Sequence, residues 1–230
     1  MIVVHATLAQ ASADSLTGAA VVVIDVLRAT STVVTALAAG ARSVQPVTSI
    51  ARALAARHGP QVVIGGERNG VRPAGFDLGN SPGEYTPERV RDRDVILTTT
   101  NGTRAFARAA RARRVVAGSL LNRAAVARAL AEEPEVVLLC SGNQGTPSFE
   151  DLLAAGAIVD AMDAPASDLG LMARDAFRQE RADLVRALET GRHGRRLLEL
   201  GLGQDVALCA RLDAYDLVPS WRDGRLTLRP

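Results

Sequence analysis

The sequence contains no lysine, and all 27 of its basic residues are arginine. A missing lysine excludes the P-loop, because that motif uses a lysine to reach the phosphates of a nucleotide. Any group that binds an anion in this chain must therefore be an arginine, a histidine, a backbone amide or a metal ion. A compositional bias of the source genome explains the absence of lysine without any functional cause.

Aromatic residues are also scarce, at 3% of the chain, and the formal net charge is only +2. So few aromatics leave no platforms on which a single-stranded nucleic acid could stack its bases. The near-neutral charge, with acids or apolar residues between the arginines, lacks the basic footprint of a nucleic-acid-binding surface. We therefore expect no nucleic-acid partner.

The two cysteines, Cys140 and Cys209, are too few for a disulfide framework, and neither stands at metal-ligand spacing from a partner. No apolar stretch approaches the ~18 residues of a membrane span. Residues 1–5 lack the basic region of a signal peptide. We expect a cytoplasmic protein without a membrane partner.

What the chain does contain is an alternation of short β-branched runs with alanine-rich stretches of helical character. Such alternation predicts an α/β fold in three layers, with a mostly parallel or mixed sheet and helices on both faces. The length suits a single domain over residues 1–230. The predicted strands cover 20–25, 43–47, 62–66, 95–100, 115–118 and 136–140, with a last strand near 217–218. The predicted helices cover 32–39, a stretch from the cap Thr48 to 58, a short turn from 87, 103–113, 122–132 and a longer stretch behind a capping-box pattern at 148–151.

Polar residues follow the carboxyl ends of four predicted strands, which is where α/β sheets bind their ligands. The first strand ends at Asp25, and the residues that follow it include Arg28 and the three hydroxyl residues Thr30, Ser31 and Thr32. A carboxylate, an arginine and hydroxyls over a helix N-terminus offer a metal ligand and an anion site together. The structural alternative is that Asp25 is a polar strand end and the hydroxyls are helix caps.

The third predicted strand leads into a long segment, 67–85, that is rich in glycine, proline and asparagine. A loop of that length in a compact domain is usually functional. Turn chemistry accounts for its glycines and prolines but not for its charged residues, which include Glu67, Arg68, Arg72 and Asp77. The remaining polar candidates are Asn80 in this loop, Asn101 and Thr103 after the fourth strand, and Glu150 after the sixth.

Together these segments resemble the family of 2-phosphosulfolactate phosphatases. The resemblance covers nearly the whole chain, with motifs at 25–32, 66–70, 75–82, 98–104 and 148–151 and further matches at 200–205 and 217–219. It implies a magnesium-dependent hydrolase that removes phosphate from a phosphorylated 2-hydroxy sulfonate, a compound of coenzyme M synthesis. It also implies a three-layer α/β fold.

Three other phosphatase chemistries find no support in the sequence. A cysteine phosphatase needs an arginine six positions after its cysteine, but Thr146 and Tyr215 stand there. A haloacid-dehalogenase-type nucleophile needs a second aspartate two residues on, but Leu27 holds that position. The Arg-His-Gly signature of histidine phosphatases occurs at 57–59 and 192–194. We interpret the first as a helix end and the second as a solvated basic face.

We predict the following roles for the motif residues. The expected Mg²⁺ ligands are Asp25, Glu67, Asp77 and Glu150. The expected catalytic residues are Asp25, Arg28, Glu67 and Arg68. The expected substrate contacts are Thr30, Ser31, Thr32, Arg72, Asn80, Asn101 and Thr103. The three arginines are expected to clamp phosphate and a second anionic group, and attack by water and a phosphoenzyme at Asp25 both stay open.

Two other functions stay open from the sequence: a non-catalytic binder of small phosphorylated acids, and a phosphatase of the same fold with a different 2-phospho-acid substrate. In each case the partner is a small anionic phosphorylated compound, and a homodimer is an open alternative to the monomer. A binder would leave the clustered acids without a role, because carboxylates without a metal repel an anionic ligand. The sequence therefore favours the enzyme.

Overall fold

Nine strands form one sheet in the computed structural model, which describes residues 1–228. The strands are β1 (Ile2–His5), β2 (Ala20–Ile24), β3 (Ser43–Pro46), β4 (Val62–Gly66), β5 (Asp94–Thr98), β6 (Arg114–Gly118), β7 (Val136–Cys140), β8 (Ser220–Arg222) and β9 (Arg225–Thr227). Their order across the sheet is β1-β7-β2-β6-β8-β9-β3-β5-β4. The described helices are α1 (Ala29–Ala38), α2 (Ile50–Ala55), α3 (Pro87–Val90), α4 (Gly102–Ala109), α5 (Arg123–Ala129), α6 (Phe149–Ala161), α7 (Asp168–Glu180), α8 (Leu184–Thr190), α9 (Arg192–Glu199) and α10 (Gly203–Cys209).

The sheet is mixed because a hairpin of β8 and β9 separates two parallel sets of strands. β1, β7, β2 and β6 form one set, and β3, β5 and β4 form the other. The hairpin pairs antiparallel with β6 on one side and with β3 on the other. This confirms the mostly parallel or mixed sheet, but the strand predicted near 217–218 is wrong, because β8 begins at Ser220. The turn Asp223-Gly224, with positive φ at both residues, is the sequence signal that the prediction missed.

The two parallel sets run in opposite directions along the sheet, because three antiparallel pairings separate β6 from β3. In a flat sheet the carboxyl ends of β2 and β5 would therefore lie at opposite edges. Neighbouring strands twist by roughly 20–25°, so the steps between β2 and β5 turn the strand direction by roughly 100°. Residues that follow both strands consequently border one cleft.

Helices cover both faces of the sheet, because the central strands are apolar on both sides. In β2, Val22 and Ile24 belong to a core formed with α5 to α10, whereas Val21 and Val23 belong to a core formed with α1 and α4. All residues of β2 are buried, and each fully buried valine or isoleucine contributes roughly 1.5–3 kcal/mol. The predicted three-layer α/β fold is confirmed. Within residues 1–228, no helix is long and apolar enough to cross a membrane.

Three helix starts differ from the prediction for local reasons. α1 begins at Ala29, earlier than predicted, and the carboxylate of Asp25 accepts a hydrogen bond from the Ala29 amide at 3.1 Å. α2 is capped by Ser49 rather than Thr48, since the Ser49 hydroxyl accepts a first-turn amide at 3.2 Å. The capping box predicted at 148–151 does not form, because its acid accepts other backbone amides.

Candidate active site

A cleft of about 630 Å³ opens where the two parallel sets of strands meet α9. One group of lining residues follows the strands and is called the strand-end wall: Asp25, Arg28, Glu67, Asn80, Thr100 and Asn101. The other group, from α9, is called the helical wall: Arg192, His193, Arg195 and Arg196. The expectation that residues far apart in sequence share one cleft is confirmed for Asp25, Glu67 and Asn101.

Asp25 joins the end of β2 to the start of α1. Its backbone amide donates to the Thr30 hydroxyl at 3.0 Å, and its carboxylate accepts from the Ala29 amide. The side chain is buried, and burial raises the pKa of Asp25 to about 6. The nearby negative charge of Glu67 also raises this pKa, whereas hydrogen bonds from Ala29 and Ser141 lower it. Asp25 is therefore a fixed carboxylate whose charge is costly without a cation beside it.

Glu67 connects the loop after β4 to the loop after β5. One carboxylate oxygen accepts from the Thr100 amide at 2.7 Å and from the Thr100 hydroxyl at 2.9 Å, and the other accepts from the Gly70 amide at 2.8 Å. The two loops lie so close that a Cβ on Gly66 would collide with the Thr98 carbonyl oxygen. These amides hold the Glu67 carboxylate in place at the cleft.

Arg28 is buried, with 3% of its side chain exposed, and it is fixed by a buried partner. Its Nη1 donates to Asp205 Oδ2 at 2.6 Å and to Ser81 Oγ at 3.2 Å, and its Nη2 donates to the Gly70 carbonyl at 3.1 Å. Ser81 also donates to the same Asp205 oxygen at 2.7 Å. Among residues 1–228, Nε–H and the second Nη2 hydrogen have no protein acceptor. Arg28 lines the cleft, and these two donors, called its donor edge, remain available for an anion.

Two further carboxyl groups lie behind Asp25, at the start of α6. Asp151 accepts from the Val26 amide at 2.9 Å and from the Gly142 amide at 3.1 Å. Burial raises the pKa of Asp151 well above its usual range, and the negative charges of Asp25 and Glu150 add to this shift. Burial also raises the pKa of Glu150 to about 7. Glu150 does not line the cleft, so the structure does not place it as a metal ligand, and the negative charge of Asp25 adds to the rise in its pKa.

Four hydroxyl residues that were predicted to contact substrate instead support the loops. Thr30 donates to the Asp25 carbonyl at 2.9 Å and Ser31 donates to the Val26 carbonyl at 2.8 Å. The remaining two donate to the carbonyls of the cleft loops, Thr32 to Asn80 at 2.8 Å and Thr103 to Thr99 at 3.0 Å. All four are buried, and their hydroxyl hydrogens are occupied by backbone acceptors. We correct their role from substrate contact to positioning of the loops.

Three charged residues of the loop after β4 lie outside the cleft. Arg68 bends back onto the Thr98 hydroxyl at 2.8 Å. Arg72 is exposed and contacts the Asp77 backbone carbonyl at 3.4 Å. Asp77 is exposed, pairs with Arg57 at 3.1 Å and accepts a β4 amide at 2.8 Å. Asp77 is therefore not placed with Asp25 and Glu67, and Arg68 and Arg72 are not placed as clamps.

The helical wall was missed, because its Arg-His-Gly tripeptide was interpreted as a solvated basic face. Arg192 and His193 line the cleft, and His193 Nδ1 lies 3.3 Å from the Asn143 side-chain amide. Burial lowers the pKa of His193, and the positive charges of Arg28 and Arg192 lower it further. Gly194 faces α8, where a Cβ would collide with the Leu188 carbonyl oxygen. Gly194 therefore lets α9 pack closely against α8, and the charged face of α9 lines the cleft.

The sequence did hold a signal for this charged face. The four residues Arg192, Arg195, Arg196 and Glu199 have the spacing of one helix face, and all of them line the cleft. The spacing predicts a polar face but does not say what it faces. That information lies in the packing of α9 on its neighbours.

The strand-end wall offers oxygen ligands that suit Mg²⁺. Asp25 and Glu67 supply two carboxylates, and the buried side-chain oxygen of Asn80 has no hydrogen-bond partner among the described residues. Within residues 1–228, no three histidine, cysteine, aspartate or glutamate side chains are placed to share a metal ion. Mg²⁺ does not require such a cage, because it keeps several waters and binds one or two carboxylates. The residues present therefore fit Mg²⁺.

Comparisons with known proteins agree with this chemistry. A family model described as 2-phosphosulpholactate phosphatase matches residues 6–224. A relative from Symbiobacterium thermophilum, named probable 2-phosphosulfolactate phosphatase, is 44% identical over 94% of this chain and 97% of its own length. Relatives of the same name from Pseudothermotoga lettingae and Thermotoga maritima are 44% and 42% identical, over 89% and 90% of this chain and 90% and 91% of their own lengths.

Phosphate-ester cleavage needs positive charge around the phosphoryl oxygens and a fixed group that directs the nucleophile. With arginines and carboxylates around one cleft and relatives of this kind, the chain is an α/β phosphatase, a phosphoric monoester hydrolase. It belongs to the 2-phosphosulfolactate phosphatase family.

Proposed function

We propose that the protein is a Mg²⁺-dependent phosphatase of a phosphorylated 2-hydroxy acid, with 2-phosphosulfolactate as its substrate and sulfolactate and phosphate as products. The observation that carries the proposal is the presence of Asp25, Glu67 and the donor edge of Arg28 in one cleft. The names of the relatives support the choice of substrate. The carboxylates of Asp25 and Glu67 can bind a cation, and the guanidinium of Arg28 can bind a phosphoryl group.

In this proposal, the side-chain oxygens of Asp25, Glu67 and Asn80 would hold Mg²⁺. Bound Mg²⁺ would stabilise negative charge on the phosphoryl oxygens as a Lewis acid. Its positive charge would also offset the repulsion between the buried carboxyl groups around Asp25. The hydrogen bonds from Ala29, Thr100 and Gly70 would keep both carboxylates oriented before substrate arrives.

Arg28 would bind phosphoryl oxygens through Nε–H and its free Nη2 hydrogen. Because Asp205, Ser81 and Gly70 occupy the other donors, the guanidinium cannot rotate to a different acceptor. Such a fixed donor edge costs no reorganisation when charge develops in the transition state. Attack on phosphorus comes either from water or from the Asp25 carboxylate, and mass spectrometry of acid-quenched enzyme for phosphorylated Asp25 distinguishes the two routes.

The test is release of inorganic phosphate from 2-phosphosulfolactate with Mg²⁺ and with a chelator. We expect chelation to abolish turnover and Asp25→Asn to lower kcat by several orders of magnitude while the fold is kept. Asp77→Asn is the matched control, because Asp77 is an exposed acid outside the cleft. Near-normal turnover of Asp25→Asn, or equal losses in both variants, would refute the role of Asp25.

The same assay separates the alternatives. A panel of 2-phospho-acids shows whether another member of the class is the better substrate. Calorimetric binding of these compounds without phosphate release under any metal condition would favour a non-catalytic binder. A cytoplasmic location, a place in coenzyme M synthesis and a homodimer stay predictions.

A further inference from the structure

Two arginines of the helical wall carry positive charge that no acid in the described part of the chain neutralises. Arg192 makes no hydrogen bond or ion pair within residues 1–228, and Arg195 donates only to the Thr190 backbone carbonyl at 2.6 Å. Arg196, by contrast, pairs with Glu199 at 3.0 Å. Two full positive charges therefore face the cleft without a counter-ion from the described part of the chain.

The arginines predicted from the sequence cannot supply this charge. Arg28 is neutralised by Asp205 across 2.6 Å, and its free edge belongs to the strand-end wall. Arg68 and Arg72 do not line the cleft. Among the described residues that line the cleft, the arginines without a counter-ion therefore lie on α9.

The position of α9 is set by close packing and not by its charges. Gly194 contacts the Leu188 carbonyl of α8, and a Cβ on Gly191 would lie 3.3 Å from a Glu150 carboxylate oxygen. Leu197, on the inner face of the helix, is buried in the core. The helix axis is thus fixed by packing, while its arginine side chains stay exposed at the cleft.

We propose that Arg192 and Arg195 bind the second anionic group of the substrate, a sulfonate or a carboxylate, while its phosphate binds at the strand-end wall. This rests on the proposed phosphatase function and deepens it. The strand-end wall carries Asp25 and Glu67, so it attracts an anion only through a cation or Arg28. A planar guanidinium matches the oxygens of a sulfonate or carboxylate with two parallel hydrogen bonds.

The kinetic test compares 2-phosphosulfolactate with a phosphomonoester of similar size that lacks a second anion. The measured quantity is the ratio of kcat/KM for the two substrates at fixed Mg²⁺ and moderate salt. We expect Arg192→Gln and Arg195→Gln each to lower this ratio about 10-fold, chiefly through KM, and the double variant to lower it about 30- to 100-fold. Arg195→Lys should keep part of the wild-type ratio, because lysine retains the positive charge but lacks the two parallel N–H donors of the guanidinium.

The control is Arg181→Gln, since Arg181 is an exposed arginine outside the cleft. An unchanged ratio in the double variant, or a ratio that falls equally in the control, overturns the proposal. Equal losses for both substrates also overturn it, because they would place the phosphate on α9.

Binding of sulfolactate, measured by titration calorimetry, tests the proposal without catalysis. Wild type should bind it at least about 10-fold more tightly than the double variant. If wild type releases no phosphate from any substrate yet shows this difference, the phosphatase function fails and the anion site stands. Equal affinities of wild type and double variant would overturn the anion site, whatever the turnover.

Discussion

The strand-end wall and the helical wall of the cleft hold their charges in different ways. In the strand-end wall, Arg28 is buried against Asp205 and Glu67 is held by backbone amides. In the helical wall, Arg192 and Arg195 are exposed, and no carboxylate of residues 1–228 pairs with them. Buried, paired groups keep a fixed geometry, whereas exposed, unpaired groups supply net charge. An enzyme that must align one anionic group of its substrate and attract another can use the strand-end wall for the first and the helical wall for the second.

The largest effect is expected where a buried pair is broken. Asp205→Ala should lower the free energy of unfolding by about 3–5 kcal/mol, because it leaves the buried Arg28 without its counter-ion. The measurement is denaturant unfolding followed by circular dichroism. Glu199→Ala is the matched variant, since it breaks the exposed pair with Arg196 and should cost less than about 1 kcal/mol. Similar losses in the two variants would mean that Arg28 is solvated and that the two walls do not differ.

The next effect concerns activity. Glu67→Gln should lower kcat/KM by about 100- to 1,000-fold and raise the Mg²⁺ concentration needed for half-maximal rate. The cause is the loss of one cleft charge and of one of the two oxygens that accept the Thr100 and Gly70 amides. Asp77→Asn serves as control, because Asp77 is an exposed acid outside the cleft. A Mg²⁺ dependence that is unchanged in Glu67→Gln would argue against Glu67 as a ligand.

The buried acids of the strand-end wall predict a pH dependence of stability. Folding raises the pKa of Asp25 from 3.8 to about 6 and that of Glu150 from 4.5 to about 7. Between these limits the folded state binds more protons than the unfolded state, so stability is greatest below pH ~4 on this account and falls as pH rises towards ~7. We expect metal-free protein to lose stability progressively over this window. Unfolding free energies measured at stepped pH test this.

Two comparisons sharpen that measurement. Glu150→Gln should flatten the fall, because one raised pKa is removed. Saturating Mg²⁺ should offset the fall at the upper end of the window. Stability that is flat in the metal-free wild type from acid to neutral pH would show that the acids are not desolvated as described.

The smallest effect is expected within the helical wall itself. Arg196→Gln should change kcat/KM less than about 3-fold and stability less than about 0.5 kcal/mol, because this arginine already pairs with exposed Glu199. The same kinetic assay on Arg195→Gln provides the comparison. A loss in Arg196→Gln as large as that in Arg195→Gln would mean that pairing with Glu199 does not decide which arginines bind the anion.

Local patterns predicted the layers and much of the strand-end wall. Asp25 and Glu67 follow buried runs that are readable as strands, and those strands do lead to the cleft. The sequence predicts a mostly parallel or mixed sheet, but not that its two parallel sets run in opposite directions and meet through twist. Twist accumulates over the whole sheet, so no local window of sequence contains it.

The predicted site roles of Arg68 and Asp77 in the loop after β4 were wrong because their side chains point away from the cleft. Glu67 and Arg68 are neighbours, and only Glu67 reaches the cleft, while Arg68 folds onto the Thr98 hydroxyl. Asp77 was misplaced because its loop turns back along β4, where the Asp77 amide donates to the Ile64 carbonyl at 2.9 Å. Such a return is a non-local contact that glycine and proline content alone does not specify.

The hairpin of β8 and β9, which joins the two sets of strands, is the last part of the sheet in the sequence. Asp25 comes from the set of strands on one side of the hairpin and Glu67 from the set on the other, and in the described sheet only the hairpin links the two by main-chain hydrogen bonds. During synthesis the ribosome produces both halves of the site well before the segment that joins them. A chain that ends before Ser220 therefore holds every acid of the cleft but lacks the two strands that join the halves of the sheet.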